Sequence, residues 1–439
     1  MLVNIGVRRL MSTFLTPDQG LRRFLAAATA LPCRFVRERM WSPQSVMVWL
    51  MVLTYPDRKT SYRRSLVVLK RFGRRAFGWP TVPTIASISV ARRKMTIPMC
   101  RDVLKTVVAH CSQMMGRCQH RYGERRFIAF DGTRLVTRRS GDTARQLHRY
   151  RRPNGERVHN PQGLMVAAVD VFRRLPLDWV FVGKKTGERT ALMRLLDTLG
   201  MSRGDVAIMD RGLPSRVLFG ALLERGVDIV ARMSISELVG WTEVQAFIAS
   251  GKNSAVIDLV VGDKKEPVTI RARLVERARQ RGRPRTGTTK ERMVIITTLT
   301  EAEGFTRQEL IKIYGARWGI ESLFGELKSF MNVEPFHSEF VSGCEQEIAA
   351  SLIWMALASS IQAEAESTLT DGRRVMRTDC LRAAADLLGD LLAGRSIADA
   401  WTRDIEGLRQ FSYKPRPGRH APRVCKMPFG RSIQRGGAK

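Results

Sequence analysis

The sequence predicts an α/β protein in which a mixed-sheet core with a β-rich insertion is flanked by helical N- and C-terminal regions. Three observations support this fold class: two apolar runs that each end in aspartate, an amphipathic helix with a polar stripe, and basic residues throughout. The expected divisions are a helical basic region, the first part of the core, the insertion, the last core helix, and a helical C-terminal region with a basic tail, at 1–122, 123–232, 233–304, 305–340 and 341–439.

The charge balance indicates a polyanionic partner. Among 439 residues, 74 are Lys or Arg and 41 are Asp or Glu, which gives a formal net charge of +33. Few enzymes of small metabolites carry such an excess, whereas nucleic acid binding uses it through counterion release. A cationic membrane-surface protein is the alternative, but the basic residues are spread through all the predicted divisions. The longest apolar stretch, 349–361, is short for a bilayer, so no membrane association is expected.

The N-terminal division is predicted to bind DNA from the sign of its charge. Within it, Ser87–Lys94 has the Ser, Val and Arg side chains of a recognition helix, and a solvated basic face is the alternative that the sequence leaves open. The seven cysteines are scattered without a C-x-x-C pair, so neither a disulfide framework nor a zinc finger is indicated. Basic and acidic residues interrupt the N-terminal apolar residues, which argues against a signal peptide and fits a cytoplasmic location.

Two aspartates occupy equivalent places in the predicted core. Asp131 follows the apolar run Phe127–Phe130 and Asp210 follows Val206–Met209, and such runs are typical of strands buried on both faces. The other elements of this part are expected as strands at 164–172, 179–183 and 227–231 and as helices at 188–199 and 214–225.

The chemistry of the two aspartates depends on whether their strands are neighbours. In that case the carboxylates meet at one sheet edge, where they repel each other unless a cation is present. Hard oxygen ligands suit Mg²⁺ or Mn²⁺. The alternative for each aspartate alone is a turn residue after a strand.

A long helix predicted over 307–330 presents a mixed polar stripe. At about 100° per residue, its Tyr, Arg, Glu and Lys side chains project within roughly 60° of one another beside an apolar face; they are Tyr314, Arg317, Glu321 and Lys328. An exposed stripe with an i, i+4 pair between Arg317 and Glu321 is the alternative, although it leaves the tyrosine unexplained.

These residues resemble a known signature. Tyr314-x2-Arg317-x3-Glu321-x6-Lys328 is similar to the Y-R-E-K signature of the DDE transposases of insertion-sequence family four. The segments Phe130–Thr133 and Asp210–Gly212 resemble the family's two aspartate motifs, and the β-β-β-α-β-α-β order followed by a β-rich insertion is also similar. The resemblance covers roughly residues 125–335.

The resemblance implies an RNase H-like core whose catalytic carboxylates hold two divalent ions, Mg²⁺ or Mn²⁺, about 3.5–4 Å apart; they are Asp131, Asp210 and Glu321. The implied activity is cleavage at insertion-sequence ends and strand transfer to target DNA by in-line phosphoryl transfer. The other signature residues would bind DNA phosphates: Tyr314, Arg317 and Lys328. The implied partners are double-stranded DNA, as terminal inverted repeats and as target, and a second copy of the chain in a synaptic complex at the bacterial nucleoid.

One position departs from the family pattern. In hairpin-forming relatives a tryptophan in the insertion's last strand stacks on a flipped-out base, and Met293 stands at the corresponding place. Trp241, elsewhere in the insertion, is a candidate substitute; otherwise base flipping is weaker or the hairpin route is not used. Three rival functions remain at this point: a non-catalytic DNA-binding derivative, a general nuclease on the same fold, and a structural basic protein.

Overall fold

The computed structural model describes residues 41–56, 60–115, 122, 125–149, 155–183, 185–236, 240–263, 265–277, 293–334 and 336–415. The predicted basic tail beyond residue 415 and the first 40 residues lie outside this part of the chain.

The described residues contain thirteen α-helices, one π-helical turn and eight strands, joined by turns and loops. The strands are β1 Phe127–Val136, β2 Gln162–Asp170, β3 Leu175–Val182, β4 Val206–Met209, β5 Asp228–Arg232, β6 Ser254–Val261, β7 Val268–Arg277 and β8 Met293–Thr297. The helices are α1 Pro43–Leu53, α2 Tyr62–Phe77, α3 Ile85–Lys94, α4 Ile97–Met114, α5 Gly141–Gln146, α6 Glu188–Leu199, α7 Arg216–Glu224, α8 Thr242–Ala249, α9 Arg307–Ala316, α10 Trp318–Gly325, the π-helical turn Glu326–Phe330, α11 Val341–Glu366, α12 Arg377–Ala393 and α13 Ile397–Gln410.

All eight strands form one sheet in the order β3-β2-β1-β4-β5-β8-β7-β6. The pairs β1–β4 and β4–β5 are parallel and the others are antiparallel. The first five strands have the order of an RNase H-like core, and the β-rich insertion continues the same sheet beyond β5. The predicted fold class is therefore confirmed.

Helix α6 shows how the pattern of the sequence positions an element of the core. Its buried residues recur at helical spacing and pack on β2 and β3, and the helix ends at Gly200 in the left-handed conformation. They are Ala191, Leu192, Leu195, Leu196 and Leu199. This packing fixes the first residue of the helix, Glu188, near the carboxyl half of β1.

Helix α11 is the central helix of the C-terminal part. Within the described residues it is the one helix long and apolar enough to cross a membrane, yet 83% of its most apolar window is buried inside the protein. It packs on β3 and on helices α1, α4 and α12. Its composition is thus that of a core helix.

The N-terminal helices share this core. The Trp354 indole on α11 donates to the Met51 carbonyl at 3.0 Å, and the Arg92 guanidinium pairs with Glu347 at 2.7 Å. Arg92 is 5% exposed, so this arginine of the proposed recognition segment is a structural residue and does not read DNA. The exposed basic residues of that helix are Arg93 and Lys94.

The helix predicted over 307–330 has these bounds in the structure, but its hydrogen bonding is not uniformly α-helical. At Arg317 the hydrogen bonds join residues three apart instead of four. The Arg317 N–H donates to the Tyr314 carbonyl at 3.1 Å, and the Ile320 N–H donates to the Arg317 carbonyl at 3.0 Å. Beyond α10 the bonding widens into a π-helical turn, in which the Met331 N–H reaches the Glu326 carbonyl at 2.9 Å. Such departures from α geometry are frequent at functional sites.

Candidate active site

The two aspartates lie side by side at one sheet edge. Strands β1 and β4 are parallel, and Phe130 is paired with Met209, so Asp131 within β1 and Asp210 directly after β4 stand at the same level. The Asp131 carboxylate accepts a hydrogen bond from the Gly132 N–H at 2.9 Å, which holds it against its own backbone. The predicted meeting of Asp131 and Asp210 is what the structure shows.

Arg317 brings the helix carboxylate to this edge. Its Nη2 lies 2.6 Å from Glu321 Oε1 and its Nη1 lies 3.4 Å from Asp131 Oδ2. The side chain is 8% exposed, and its Nε is buried without a hydrogen-bond partner. One buried guanidinium therefore bridges Asp131 and Glu321, with one N–H group left unsatisfied.

A phenol and a second guanidinium are among the partners of Asp210. The Tyr314 hydroxyl donates to Asp210 Oδ1 at 3.0 Å, and the Arg232 guanidinium on β5 approaches the same oxygen at 3.9 Å. Burial, together with the negative charge of Asp210, raises the pKa of Tyr314 to about 12. The phenol is consequently a hydrogen-bond donor at neutral pH and not a base. Arg232 was not among the residues predicted from the sequence.

The two aspartates differ in their ionisation. Burial raises the pKa of Asp131, and the negative charges of Glu321 and Asp210 add to this effect. Burial alone would also raise the pKa of Asp210, but the Arg211 amide, Arg317 and Tyr314 together hold it below its usual value. The raised pKa of Asp131 is therefore due first to burial and only second to the neighbouring carboxylates.

Glu188 is a fourth carboxylate here, and the sequence argument missed it. Burial raises the pKa of Glu188, and the charges of Asp131 and Asp210 raise it further. In the sequence this residue opens a predicted helix, where glutamate is ordinary because it complements the helix dipole. Only the three-dimensional proximity to Asp131 distinguishes it.

Three further residues were singled out from the sequence, and they lie at different places in the fold. Lys328 lies in the π-helical turn and is half-buried, and Met293 begins β8 opposite Arg277 and is partly buried against the core. Trp241 is 5% exposed and packs on Phe219, so its suggested role in base stacking was wrong.

An exposed aromatic side chain is nevertheless present beside the signature. Trp318 directly follows Arg317 and is 53% exposed, and the sequence argument overlooked it. Trp318 is therefore accessible to a DNA base, whereas Trp241 is buried.

The carboxylates are held apart by their arginine. Among the residues that the structure describes, no three Asp, Glu, His or Cys side chains are arranged to hold one metal ion as they stand. The charged groups at the sheet edge are paired with Arg317 and Arg232 instead.

Comparison with known proteins places the chain in a family. The model of the transposase DDE domain matches residues 122–357, which is more than half of the chain and contains all the residues of the site. The chain belongs to the DDE transposases. The first-aspartate, second-aspartate and glutamate motifs of this transposase all lie inside the matched region.

A solved structure is similar over nearly the whole length. The piggyBac transposase, determined by cryo-EM in a synaptic complex with hairpin DNA, aligns with 98% of this transposase and 90% of its own chain at 12% identity and a TM-score of 0.41. The comparison with curated protein sequences finds no significant match.

Proposed function

We propose that this DDE transposase is of the insertion-sequence family four type. It cleaves DNA at the ends of its element and joins the freed 3′-hydroxyl to target DNA by in-line phosphoryl transfer. The proposal rests on one observation: Asp131 and Glu321 converge on a single buried guanidinium, with Asp210 beside them. A charged cluster of this kind has no evident role in stabilising the core, since buried ion pairs contribute little net stability.

The side chains fit a pair of divalent cations, Mg²⁺ or Mn²⁺. A cationic group already lies between Asp131 and Glu321, and the pKa of Asp131 is raised first by burial and further by the negative charges of Glu321 and Asp210. Both facts mark the place as one where positive charge is favourable, and carboxylate oxygens are the ligands these ions prefer. When bound, such ions supply charge stabilisation and activation of an attacking hydroxyl. Asp131, Asp210 and Glu321 would hold them.

The remaining residues would bind and orient the DNA. Arg317 has a buried Nε–H without a partner, so a phosphate oxygen would satisfy a donor that the protein leaves open. Tyr314 donates a hydrogen bond at neutral pH because its pKa is about 12. Lys328 would add charge from the π-helical turn. No nucleophilic side chain is required, since phosphoryl transfer depends on positioning and charge stabilisation.

The DNA partners follow from the charge distribution. Helix α2 presents an exposed basic face that is suited to the phosphate backbone, made of Arg63, Arg64, Lys70, Arg71 and Arg74. The expected substrates are terminal inverted repeats and target DNA. A homodimer that synapses the two element ends is part of the proposal.

The test is a cleavage and joining assay with the full-length protein. DNA that carries the inverted repeats flanking the gene is incubated with Mg²⁺ and the wild type or the variants Asp131→Asn, Asp210→Asn and Glu321→Gln. Each variant should lose about 100-fold or more in rate, as expected when an electrostatic group at the reacting phosphate is removed. DNA binding should be kept. Asp258→Asn, on the exposed side of β6, is the matched control.

Three outcomes would contradict the proposal. Undiminished cleavage by Glu321→Gln would exclude this carboxylate from the site. Equal cleavage of repeat and random DNA by the wild type would favour a general nuclease, and complete absence of metal-dependent nicking would favour a non-catalytic derivative.

A further inference from the structure

Two arginines of helix α12 contact the two ends of the π-helical turn Glu326–Phe330. At the first residue of the turn, Arg377 Nε lies 3.1 Å from Glu326 Oε2. At the last residue, the Arg382 guanidinium stands over the Phe330 ring, 5.5 Å from its centroid. Lys328 lies between these two contacts, so the C-terminal part of the chain holds the turn that bears this lysine.

Arg377 joins the turn to a second helix. Its Nη2 donates to the Met355 carbonyl on α11 at 2.7 Å, and its side chain is 11% exposed. Its Nη1 is buried without a hydrogen-bond partner, a cost that an apolar side chain of similar size would not have. Stability alone does not account for an arginine here, because buried ion pairs contribute little net stability. Since the side chain is enclosed, it is placed to orient the turn and not to contact DNA itself.

The turn needs such contacts because π bonding is not the favoured state of a helical backbone. It is rare, occurs mostly as single turns inside α-helices, and is frequent at functional sites. Leu327 in this turn is fully buried, and the next residue, Lys328, is half-buried. A return to α bonding would rotate the residues of the turn relative to Glu321. The direction of the Lys328 side chain therefore depends on the π-helical turn being kept.

We propose that Arg377 is a positioning residue for Lys328 and fixes the π-helical turn through Glu326. This inference rests on the proposed function, in which Lys328 binds a DNA phosphate. It adds a residue from outside the helix over 307–330 that acts on the DNA contact without touching the DNA. The contact between Arg382 and Phe330 supports the same turn from its other end.

The test measures how DNA binding by the full-length protein depends on salt. DNA that carries the flanking inverted repeats is titrated at several salt concentrations with the wild type, Lys328→Ala and Arg377→Met. Losing one phosphate contact reduces the slope of log affinity against log salt concentration by about one. Each variant should show this reduction together with about 10-fold weaker binding. The double variant should lose no more than either single variant, since both act on one contact.

A matched ion pair elsewhere in the fold separates positioning from stability. Arg101 on α4 makes the same two kinds of contact, with its Nε 3.1 Å from Asp178 and its Nη2 2.8 Å from the Trp179 carbonyl. Arg101→Met should therefore lower the melting temperature as Arg377→Met does, but it should keep the wild-type affinity and slope. Arg377→Lys, which keeps a cation opposite Glu326, should restore most of the binding.

The acidic side of the pair gives a further variant, which applies even if Arg377→Met does not fold. Glu326→Met removes a negative charge from the turn, and by electrostatics alone this would strengthen DNA binding. Because the contact with Arg377 is lost as well, we expect the affinity and the slope to fall instead. Unchanged or tighter binding by Glu326→Met would overturn the proposal.

The remaining outcomes distinguish this inference from the proposed function. A reduced slope for Lys328→Ala with a wild-type slope for Arg377→Met would overturn the role of Arg377 alone. Additive losses in the double variant would do the same, because they would show that Arg377 does not act through Lys328. A wild-type slope for Lys328→Ala would contradict the phosphate contact in the proposed function, and this inference with it.

Discussion

At the scale of single residues, Arg317 is the group on which the site converges. It lies at the junction of α9 and α10, bridges Asp131 and Glu321, and stands 5.9 Å over the Tyr314 ring. In the metal-free protein it supplies the positive charge that keeps neighbouring carboxylates from repelling one another. Its role in holding the apo site therefore differs from its proposed role toward phosphate.

Arg317→Ala should destabilise the metal-free protein more than the metal-bound protein. Without metal, the unfolding free energy should fall by about 1–3 kcal/mol, since two half-buried carboxylates lose a hydrogen-bonding partner. With saturating Mn²⁺ the difference should shrink, because bound cations replace the lost charge. Urea unfolding in chelator and in Mn²⁺ measures both values. An identical loss in the two conditions would show that Arg317 is purely a packing residue.

The sequence predicted the members of this cluster but not all of their contacts. Helical spacing placed Tyr314, Arg317 and Glu321 on one stripe. The apolar runs placed both aspartates directly after buried strand residues, although β1 continues past Asp131 and only Asp210 follows the end of its strand. The contact of Glu188 with Gly132 was beyond sequence reasoning, because it depends on how α6 packs on the sheet. A helix-opening glutamate has no signature of its own.

At the scale of secondary-structure elements, the strands were easier to predict than the hydrogen-bond pattern of the helix over 307–330. The runs that became β4 and α6 were predicted with the bounds that the structure has, since apolar runs and a glycine stop are local signals. The tightening at Arg317 and the π-helical turn were not predicted, although Gly315 and Gly319 flank Arg317 and Gly325 precedes the turn, because a glycine inside a helix does not indicate which hydrogen-bond spacing follows it. Tertiary contacts with the carboxylates accompany the tightening.

Helix α11 contains a titratable group whose ionisation opposes folding. Burial between α11 and α4 raises the pKa of Glu345 to about 7 from its ordinary 4.5, and the nearby charge of Arg101 only partly offsets this. A carboxyl with a raised folded-state pKa contributes stability that is fully present below about pH 4.5 and is lost as the pH rises through 7.

Glu345→Gln should therefore leave stability near pH 4.5 almost unchanged and increase it at pH 8. The gain should be up to about 3 kcal/mol, since one pKa unit corresponds to about 1.4 kcal/mol. Urea unfolding at the two pH values tests this, with Glu339→Gln at an exposed position as the control. Equal stability of wild type and Glu345→Gln at pH 8 would be inconsistent with the buried, ionised state.

At the scale of the whole molecule, the N-terminal helices and the C-terminal helix α11 form a common core. Arg92 on α3 contacts Gln346, Glu347 and the Gly343 carbonyl, all on α11. The sequence predicted a helical basic region over 1–122 from its composition, and composition does not report which faces of its helices pack on the rest of the chain. Removing residues 1–122 would uncover α11, so such a truncation cannot separate DNA binding from chemistry.

The buried ion pair between Arg92 and Glu347 can be used to measure how strongly the N-terminal helices and α11 are coupled. Both side chains are nearly inaccessible, at 6% for Arg92 and 2% for Glu347. Glu347→Gln should lower the unfolding free energy by about 3–5 kcal/mol, because a buried guanidinium loses its counter-charge. The whole chain should still unfold in one transition by urea.

The double variant Arg92→Met, Glu347→Gln is the matched comparison. It should lose less stability than the sum of the single variants, since the two groups interact directly. Additive losses, or a separate early transition of the N-terminal helices, would show that the two regions are independent.

The π-helical turn has a consequence for how genes of this kind are compared. A π turn bonds each residue to one five positions away, so it accommodates one residue more than an α-helical turn. An in-frame loss of one codon between positions 326 and 328 would convert the turn to ordinary α geometry while shortening the spacing from Glu321 to Lys328. An alignment that counts residues would score such a copy as lacking the motif, although its lysine would still follow the glutamate on a continuous helix.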